Sequence, residues 1–122
     1  GAAADALAPR LATALGADGR LESSDTFAAR FPGDGLGYGA HYDGHGGPKG
    51  CVLTAILYTS RGWTEASGGV FMALDPHERA WLAVPPEAGT LLIFRSDRVL
   101  QKVLPCFAPR VALTIFLSKA AS

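Results

Sequence analysis

The chain has 122 residues, 48% of them hydrophobic and 18% charged, with eleven basic residues set against eleven acidic ones. Zero net charge and scattered Lys and Arg exclude the basic face that nucleic acid requires. No run approaches the ~20 apolar residues of a membrane-spanning helix. A chain of this length reads as one domain, residues 1–122, able to bury roughly two-thirds of the surface its unfolded form would expose.

The chain opens on an Ala/Leu-rich segment. Leu7, Leu11 and Leu15 recur at every fourth position and predict a helix over about residues 4–16, ended by Gly16 and Gly19, within an N-terminal helical segment 1–20. The segment lacks the basic start and apolar core of a secretory leader. The chain also lacks an initiator Met, which reads as a fragment or a processed form. An intracellular location, cytoplasmic or nuclear, is expected. Cys51 and Cys106 stand far apart with no CxxC spacing, each beside an apolar run. They are expected as buried, reduced packing residues and not as a zinc or disulfide framework.

Beyond the helix, short apolar or alternating runs follow one another, punctuated by Gly, Pro and Asp. They are Thr26–Phe31, Tyr38–Tyr42, Cys51–Thr59, Gly69–Leu74, Ala80–Val84, Thr90–Arg95, Gln101–Leu104 and Arg110–Ser118. Short strands at this spacing predict an all-β sandwich or barrel over about residues 26–118. The run Val111–Leu117 is nearly all apolar and is expected as a central strand buried on both faces. The glycine-dense stretch from Gly33 to Gly50 is a set of turns around one strand. It is not a phosphate loop, since no Gly-Lys-Ser/Thr follows and no helix opens after it.

The first residues with chemistry are His41-Tyr42-Asp43. On a strand, alternate side chains share a face, so His41 and Asp43 point the same way. An imidazole and a carboxylate on one face are half of a mononuclear metal site, and two histidines with one carboxylate make the usual ferrous oxygenase triad. The plain alternative is a polar surface loop. Tyr58 falls at the far end of the third run, and Arg110 opens the last. An arginine at the head of an apolar strand is costly unless it meets an anion, and its fork suits a carboxylate. An Asp or Glu of the chain itself is the alternative partner.

Four further stretches carry a family resemblance. Phe31-Pro32-Gly33-Asp34-Gly35-Leu36-Gly37-Tyr38 precedes His41-Tyr42-Asp43. Gly68-Gly69-Val70-Phe71 and Leu91-Leu92-Ile93-Phe94-Arg95-Ser96-Asp97-Arg98 follow. Pro105-Cys106-Phe107-Ala108-Pro109-Arg110-Val111-Ala112-Leu113-Thr114 comes last. In order and spacing the chain from about Phe27 to Leu117 resembles the hypoxia-factor prolyl hydroxylases, within the prolyl 4-hydroxylase branch of the iron(II)- and 2-oxoglutarate-dependent oxygenases.

The resemblance implies a double-stranded β-helix, a jelly-roll or cupin-like barrel of two four-stranded sheets. It implies His41 and Asp43 as iron ligands, and Arg110 and Tyr58 on the distal carboxylate of 2-oxoglutarate. Thr54 and Ile56 would line the pocket, and Tyr38 would sit beside the metal strand. The glycines from Gly33 to Gly39 would serve the turn into that strand, and Trp63 would pack. The implied cofactors are Fe(II) and 2-oxoglutarate, with ascorbate a candidate reductant. The implied partners are O2 and a protein or peptide substrate carrying a prolyl residue, with no nucleic acid and no membrane.

The sequence departs from the family at two positions. The family's second iron-binding histidine stands nine residues before the arginine, and this chain has Gln101 there. Between His77 and the C-terminus there is no histidine at all. An amide oxygen is a weaker ligand for ferrous iron than an imidazole. Three outcomes stay open: Gln101 or a water completes the site, the site binds metal poorly and the domain is a non-catalytic binding module, or His45 or His77 fills in. The second departure is Phe31, where close members carry a tyrosine that reaches the co-substrate region.

Overall fold

The computed structural model describes residues 21–42 and 51–119. The expected N-terminal helix, Asp43 and His45 lie outside the described residues. Eight strands follow in chain order: β1 (Leu21–Phe31), β2 (Tyr38–His41), β3 (Cys51–Tyr58), β4 (Phe71–Asp75), β5 (Ala80–Val84), β6 (Leu91–Arg95), β7 (Gln101–Val103) and β8 (Arg110–Lys119). One 3-10 turn, Glu65–Ser67, interrupts the β3–β4 connection. Each expected run overlaps a strand. The first strand starts five residues earlier than expected, at Leu21, and carries a bulge between Ser23 and Asp25.

The strands form two antiparallel four-stranded sheets, ordered β1-β8-β3-β6 and β2-β7-β4-β5. This is the double-stranded β-helix expected from the resemblance. Alternation then decides what lies between the sheets. Phe27, Ala29 and Phe31 of β1 share the inner face with Arg110, Ala112, Thr114 and Phe116 of β8, and with Thr54, Ile56 and Tyr58 of β3. Phe71 of β4 and Phe94 of β6 meet across the interior with ring centroids 5.2 Å apart. Phe27 and Phe116 meet edge to face at 5.4 Å.

The expectation that β8 is buried on both faces is corrected. Leu117 and its register partner Leu53 are buried on the outer face, but Val111 and Leu113 are 39% and 37% exposed. A single layer of strands turns only one face inward, so the Arg110 end of β8 shows its other face to solvent. The cysteines also differ from each other. Cys106 is buried, whereas Cys51, at the edge of β3, is only half-buried, and neither forms a disulfide. The Cys51 thiol donates to the Leu53 carbonyl at 3.2 Å and meets Ser96 Oγ at 3.1 Å.

The β7–β8 connection is tied on both sides. Gly35 N donates to Cys106 O at 2.8 Å and Cys106 N to Leu36 O at 3.0 Å, which attaches it to the turn before β2. Gly69 N donates to Pro105 O at 2.9 Å and Phe107 N to Ser67 O at 2.8 Å, which attaches it to the segment before β4. Gly33, at φ +88°, passes so near this connection that a Cβ there would stand 2.7 Å from the Ala108 carbonyl carbon. Only glycine satisfies both the backbone angle and the close approach. These ties fix the point where the chain enters β8, and therefore fix Arg110.

Candidate active site

A cavity of about 250 Å³ lies between the two sheets. Tyr38, His41, Thr54, Ile56, Tyr58, Gln101 and Arg110 all line it. Residues drawn from four strands by spacing and resemblance therefore meet in one space. Asp43 is the expected site residue that lies outside the described residues. His77 is not at the cavity; it is exposed in the β4–β5 turn, where its backbone N–H donates to Asp75 Oδ1 at 2.9 Å.

One end of the cavity is built around Arg110, which is 8% exposed. Its guanidinium carbon stands 4.2 Å from the centre of the Phe31 ring and 5.5 Å from that of Tyr58. A cation over an aromatic face in a desolvated place gains about 0.5–2 kcal/mol. Phe31 thus has a definite role without the hydroxyl found in close family members. Burial pushes the Tyr58 phenol above its ordinary pKa, and the charge and hydrogen bond of Arg110 pull partly against that. Tyr58 therefore stays a neutral phenol at physiological pH. Arg110 Nε has no hydrogen-bond partner among the described residues. It lies against Gly69, where a Cβ would come within 2.8 Å of it. Gly69, at φ +69°, leaves the space in which the guanidinium sits.

The other end is built by β2 and β7. His41 and Gln101 are register partners across this pair. His41 Nδ1 lies 2.7 Å from the Gly39 carbonyl. A neutral imidazole that donates through Nδ1 carries its lone pair on Nε2, the usual preparation of a metal-ligating histidine. Tyr38 packs edge to face on this ring at 4.4 Å. Gln101 is 4% exposed, and its Nε2 has no partner among the described residues.

The two ends fit the implied groups unequally. The cation, the phenol and the hydroxyls of Thr54 and Thr114 inside apolar walls fit a dicarboxylate such as 2-oxoglutarate. The described part of the other end offers one imidazole, His41, and one amide, Gln101, while the expected carboxylate, Asp43, lies outside the described residues. Among the described residues no group of three or more His, Cys, Asp and Glu side chains is assembled.

Sequence reasoning did not single out Thr114, Phe71 or Gly69. Thr114 follows Arg110 by four positions on one strand, so strict alternation along β8 already puts it on the same inner face. Gly69 carried a motif signal, but its role depends on how near β8 passes, which alternation does not reveal. Trp63 packs as expected, with Nε1 donating to the Gly68 carbonyl at 2.9 Å.

Comparison with known proteins agrees with this architecture. Residues 26–118 match the family model of the 2OG-Fe(II) oxygenase superfamily. The human prolyl hydroxylase EGLN3 is 34% identical over 97 residues, covering 78% of this chain and 40% of that protein. The rat Egl nine homolog 1 is 36% identical over 90 residues, 72% of this chain and 26% of that protein. Among solved structures, a Trichoplax adhaerens prolyl hydroxylase in complex with a peptide fragment of the hypoxia inducible factor oxygen degradation domain superposes with TM-score 0.83. It is 28% identical and covers 97% of this chain and 54% of that one. A Phytophthora capsici prolyl 4-hydroxylase superposes with TM-score 0.78 at 32% identity, over 93% of this chain and 39% of that one. The chain thus spans less than half the length of these curated relatives. The fold, the family model and these relatives agree: the chain belongs to the 2-oxoglutarate- and Fe(II)-dependent oxygenase superfamily, in its prolyl 4-hydroxylase branch.

Proposed function

We propose that this chain is the core of a 2-oxoglutarate-dependent oxygenase that hydroxylates a prolyl residue in a protein or peptide, with O2 as co-substrate. The observation that carries the reading is Arg110, a buried cation whose cavity is lined by no acidic side chain among the described residues. Burying a charge is costly unless an opposite charge meets it. A ligand carboxylate, held by the guanidinium and the Tyr58 phenol, is the natural counter-charge. Thr54 and Thr114 supply further hydroxyls, and Ile56 and Phe116 add apolar walls.

Iron and 2-oxoglutarate supply the oxidising chemistry in this family when bound. His41 and Asp43 would hold the metal, and ascorbate would keep it reduced. A water, or Gln101 with its amide turned to present oxygen, would take the position of the second histidine. The thiol state of Cys51 and Cys106 fits a reducing, intracellular compartment. Among the described residues no helix is long and apolar enough to cross a membrane.

Gln101 favours a second reading, a binding domain on the same fold that retains the dicarboxylate clamp without oxidation. The test that separates the two is turnover. The chain with Fe(II), 2-oxoglutarate and ascorbate should release succinate, faster when a proline-containing peptide is added. Absence of succinate, together with absence of the visible band of an anaerobic Fe(II)–2-oxoglutarate complex, sinks the enzyme reading and leaves the binding domain.

A further inference from the structure

Cys106 and Arg110 converge on one glycine. The point where a Cβ of Gly69 would stand is 2.8 Å from Arg110 Nε and 3.1 Å from Cys106 Sγ. Gly69 has no side chain, so the thiol and the Nε edge of the guanidinium approach each other over its backbone. Arg110 is 8% exposed, and its Nε has no hydrogen-bond partner among the described residues. A buried charged donor without a partner is costly, and an acceptor beside it offsets that cost. The thiol is not that acceptor as it stands. Sulfur accepts weakly, and Sγ donates to the Ala108 carbonyl at 3.2 Å.

The backbone holds this thiol in place. Cys106 is tied through its own N–H and carbonyl to Leu36 and Gly35, and it bridges to Gly68. It is 1% exposed but lines a second, smaller cavity of about 50 Å³. Among the described residues, Arg110 is the one wall residue that this cavity shares with the larger one. Exposed Arg61 and Pro109 also line it, so it meets solvent. A space of that size admits a molecule little larger than water. Hydrogen peroxide fits this limit, and a bulky thiol reagent does not.

We propose that Cys106 is a peroxide-sensitive modification site whose oxidised form is held by Arg110. The sulfur displaces hydroxide from the peroxide. An S–O bond forms and the O–O bond breaks. Sulfur is oxidised, the peroxide is reduced, and the thiol proton leaves with the hydroxide as water. The product is a sulfenic acid, the reversible first step of thiol oxidation. Its oxygen accepts from Arg110 Nε and, once ionised, sets a negative charge against the guanidinium. The cation then has a partner within the chain and attracts a ligand carboxylate less. This effect on 2-oxoglutarate rests on the reading of Arg110 as a carboxylate clamp given above; the modification itself does not.

The test uses the 122-residue chain carrying Cys51→Ser, in which Cys106 is the one remaining thiol. Hydrogen peroxide should add one oxygen atom at Cys106, trapped by dimedone, mapped by peptide mass and removed by dithiothreitol. With Arg110→Gln added, that oxygen should be acquired at least about tenfold more slowly, because its charge-assisted partner is gone. The oxidised chain should bind 2-oxoglutarate about tenfold more weakly than the reduced one. Cys106→Asp should weaken binding without peroxide, and Cys106→Ala should make binding indifferent to peroxide. Thermal melts confirm that each variant is folded. Absence of a trapped adduct at Cys106, or an equal rate in the folded Arg110→Gln variant, would overturn the proposal. So would an adduct that leaves 2-oxoglutarate binding unchanged. Arg110-dependent oxidation in a chain whose reduced form binds no 2-oxoglutarate would overturn the clamp reading and leave the modification site standing.

Discussion

The two ends of the cavity are built from the same kind of strand and carry opposite relations to their family. At the Arg110 end the expected cation and phenol meet, and the one departure, Phe31, still packs on the cation. The cation sits on an aromatic ring, the phenol stands beside it, and a glycine leaves it room. At the His41 end the imidazole is oriented by the Gly39 carbonyl, but its partner across the β2–β7 pair is an amide. On the proposed reading, the difference makes co-substrate recognition and metal binding separable in this barrel. One is a property of the β3–β8 pair and the ties that fix the start of β8. The other is a property of the short β2–β7 pair.

The largest effect should come from removing the clamp. Arg110→Ala is expected to reduce 2-oxoglutarate affinity by about a hundredfold or more, the cost of losing a buried charge-assisted pair. Arg110→Lys should recover only part of it, because an ammonium lacks the planar fork. Titration of both variants, with folding checked by circular dichroism, measures this. If Arg110→Ala binds as tightly as the parent chain, the two ends have been assigned the wrong roles.

The next effect is indirect. Gly69→Ala puts a methyl group 2.8 Å from Arg110 Nε, at a backbone angle of φ +69° that disfavours it. The backbone penalty alone is about 1–2 kcal/mol. The melting temperature should fall by several degrees, and 2-oxoglutarate binding by about tenfold as the guanidinium is displaced. The same substitution at Gly62, whose Cβ position is open, shares the backbone strain and touches nothing. It should lower stability and leave binding intact.

The smallest effect lies away from both ends and serves as the control. Asp97 receives two hydrogen bonds from Arg95, Nε to Oδ1 at 2.9 Å and Nη2 to Oδ2 at 2.7 Å. The hydrogen bond to Arg95 is the main reason the Asp97 carboxyl is held below its ordinary pKa. The pair is partly open to solvent, so it contributes about 1 kcal/mol or less. A carboxyl with a lowered folded-state pKa contributes stability above its unfolded value of about 4, and that contribution is lost as pH falls through the folded value. The stability gap between the parent chain and Asp97→Asn should therefore be constant from about pH 5 to 8 and close below about pH 4. Urea melts across that range check it, and 2-oxoglutarate binding should be unchanged.

Much of this was legible before the structure, for identifiable reasons. The strand runs stood out because Gly, Pro and Asp punctuate them, and period-2 alternation along β3 and β8 gathers Thr54, Ile56, Tyr58 and Arg110 on one face. The resemblance fixed which alternating face mattered. What alternation could not give was depth. It does not say that Val111 and Leu113 open to solvent while Leu117 does not, since that depends on what covers each part of the sheet. Nor does it say that Arg110 rests on Phe31, a contact between strands paired from opposite ends of the chain. Gln101 stands out in the sequence as a departure, but the burial of its Nε2 without a partner among the described residues is visible only in three dimensions.

The most direct test of the difference between the two ends is Gln101→His, followed by anaerobic titration with Fe(II) in the presence of 2-oxoglutarate. The account predicts Fe(II) affinity at least about tenfold higher than in the parent chain, with the visible charge-transfer band of the complex gained or strengthened in proportion. An unchanged band and unchanged affinity in a folded Gln101→His variant would contradict the placement of Gln101 at the metal end of the cavity.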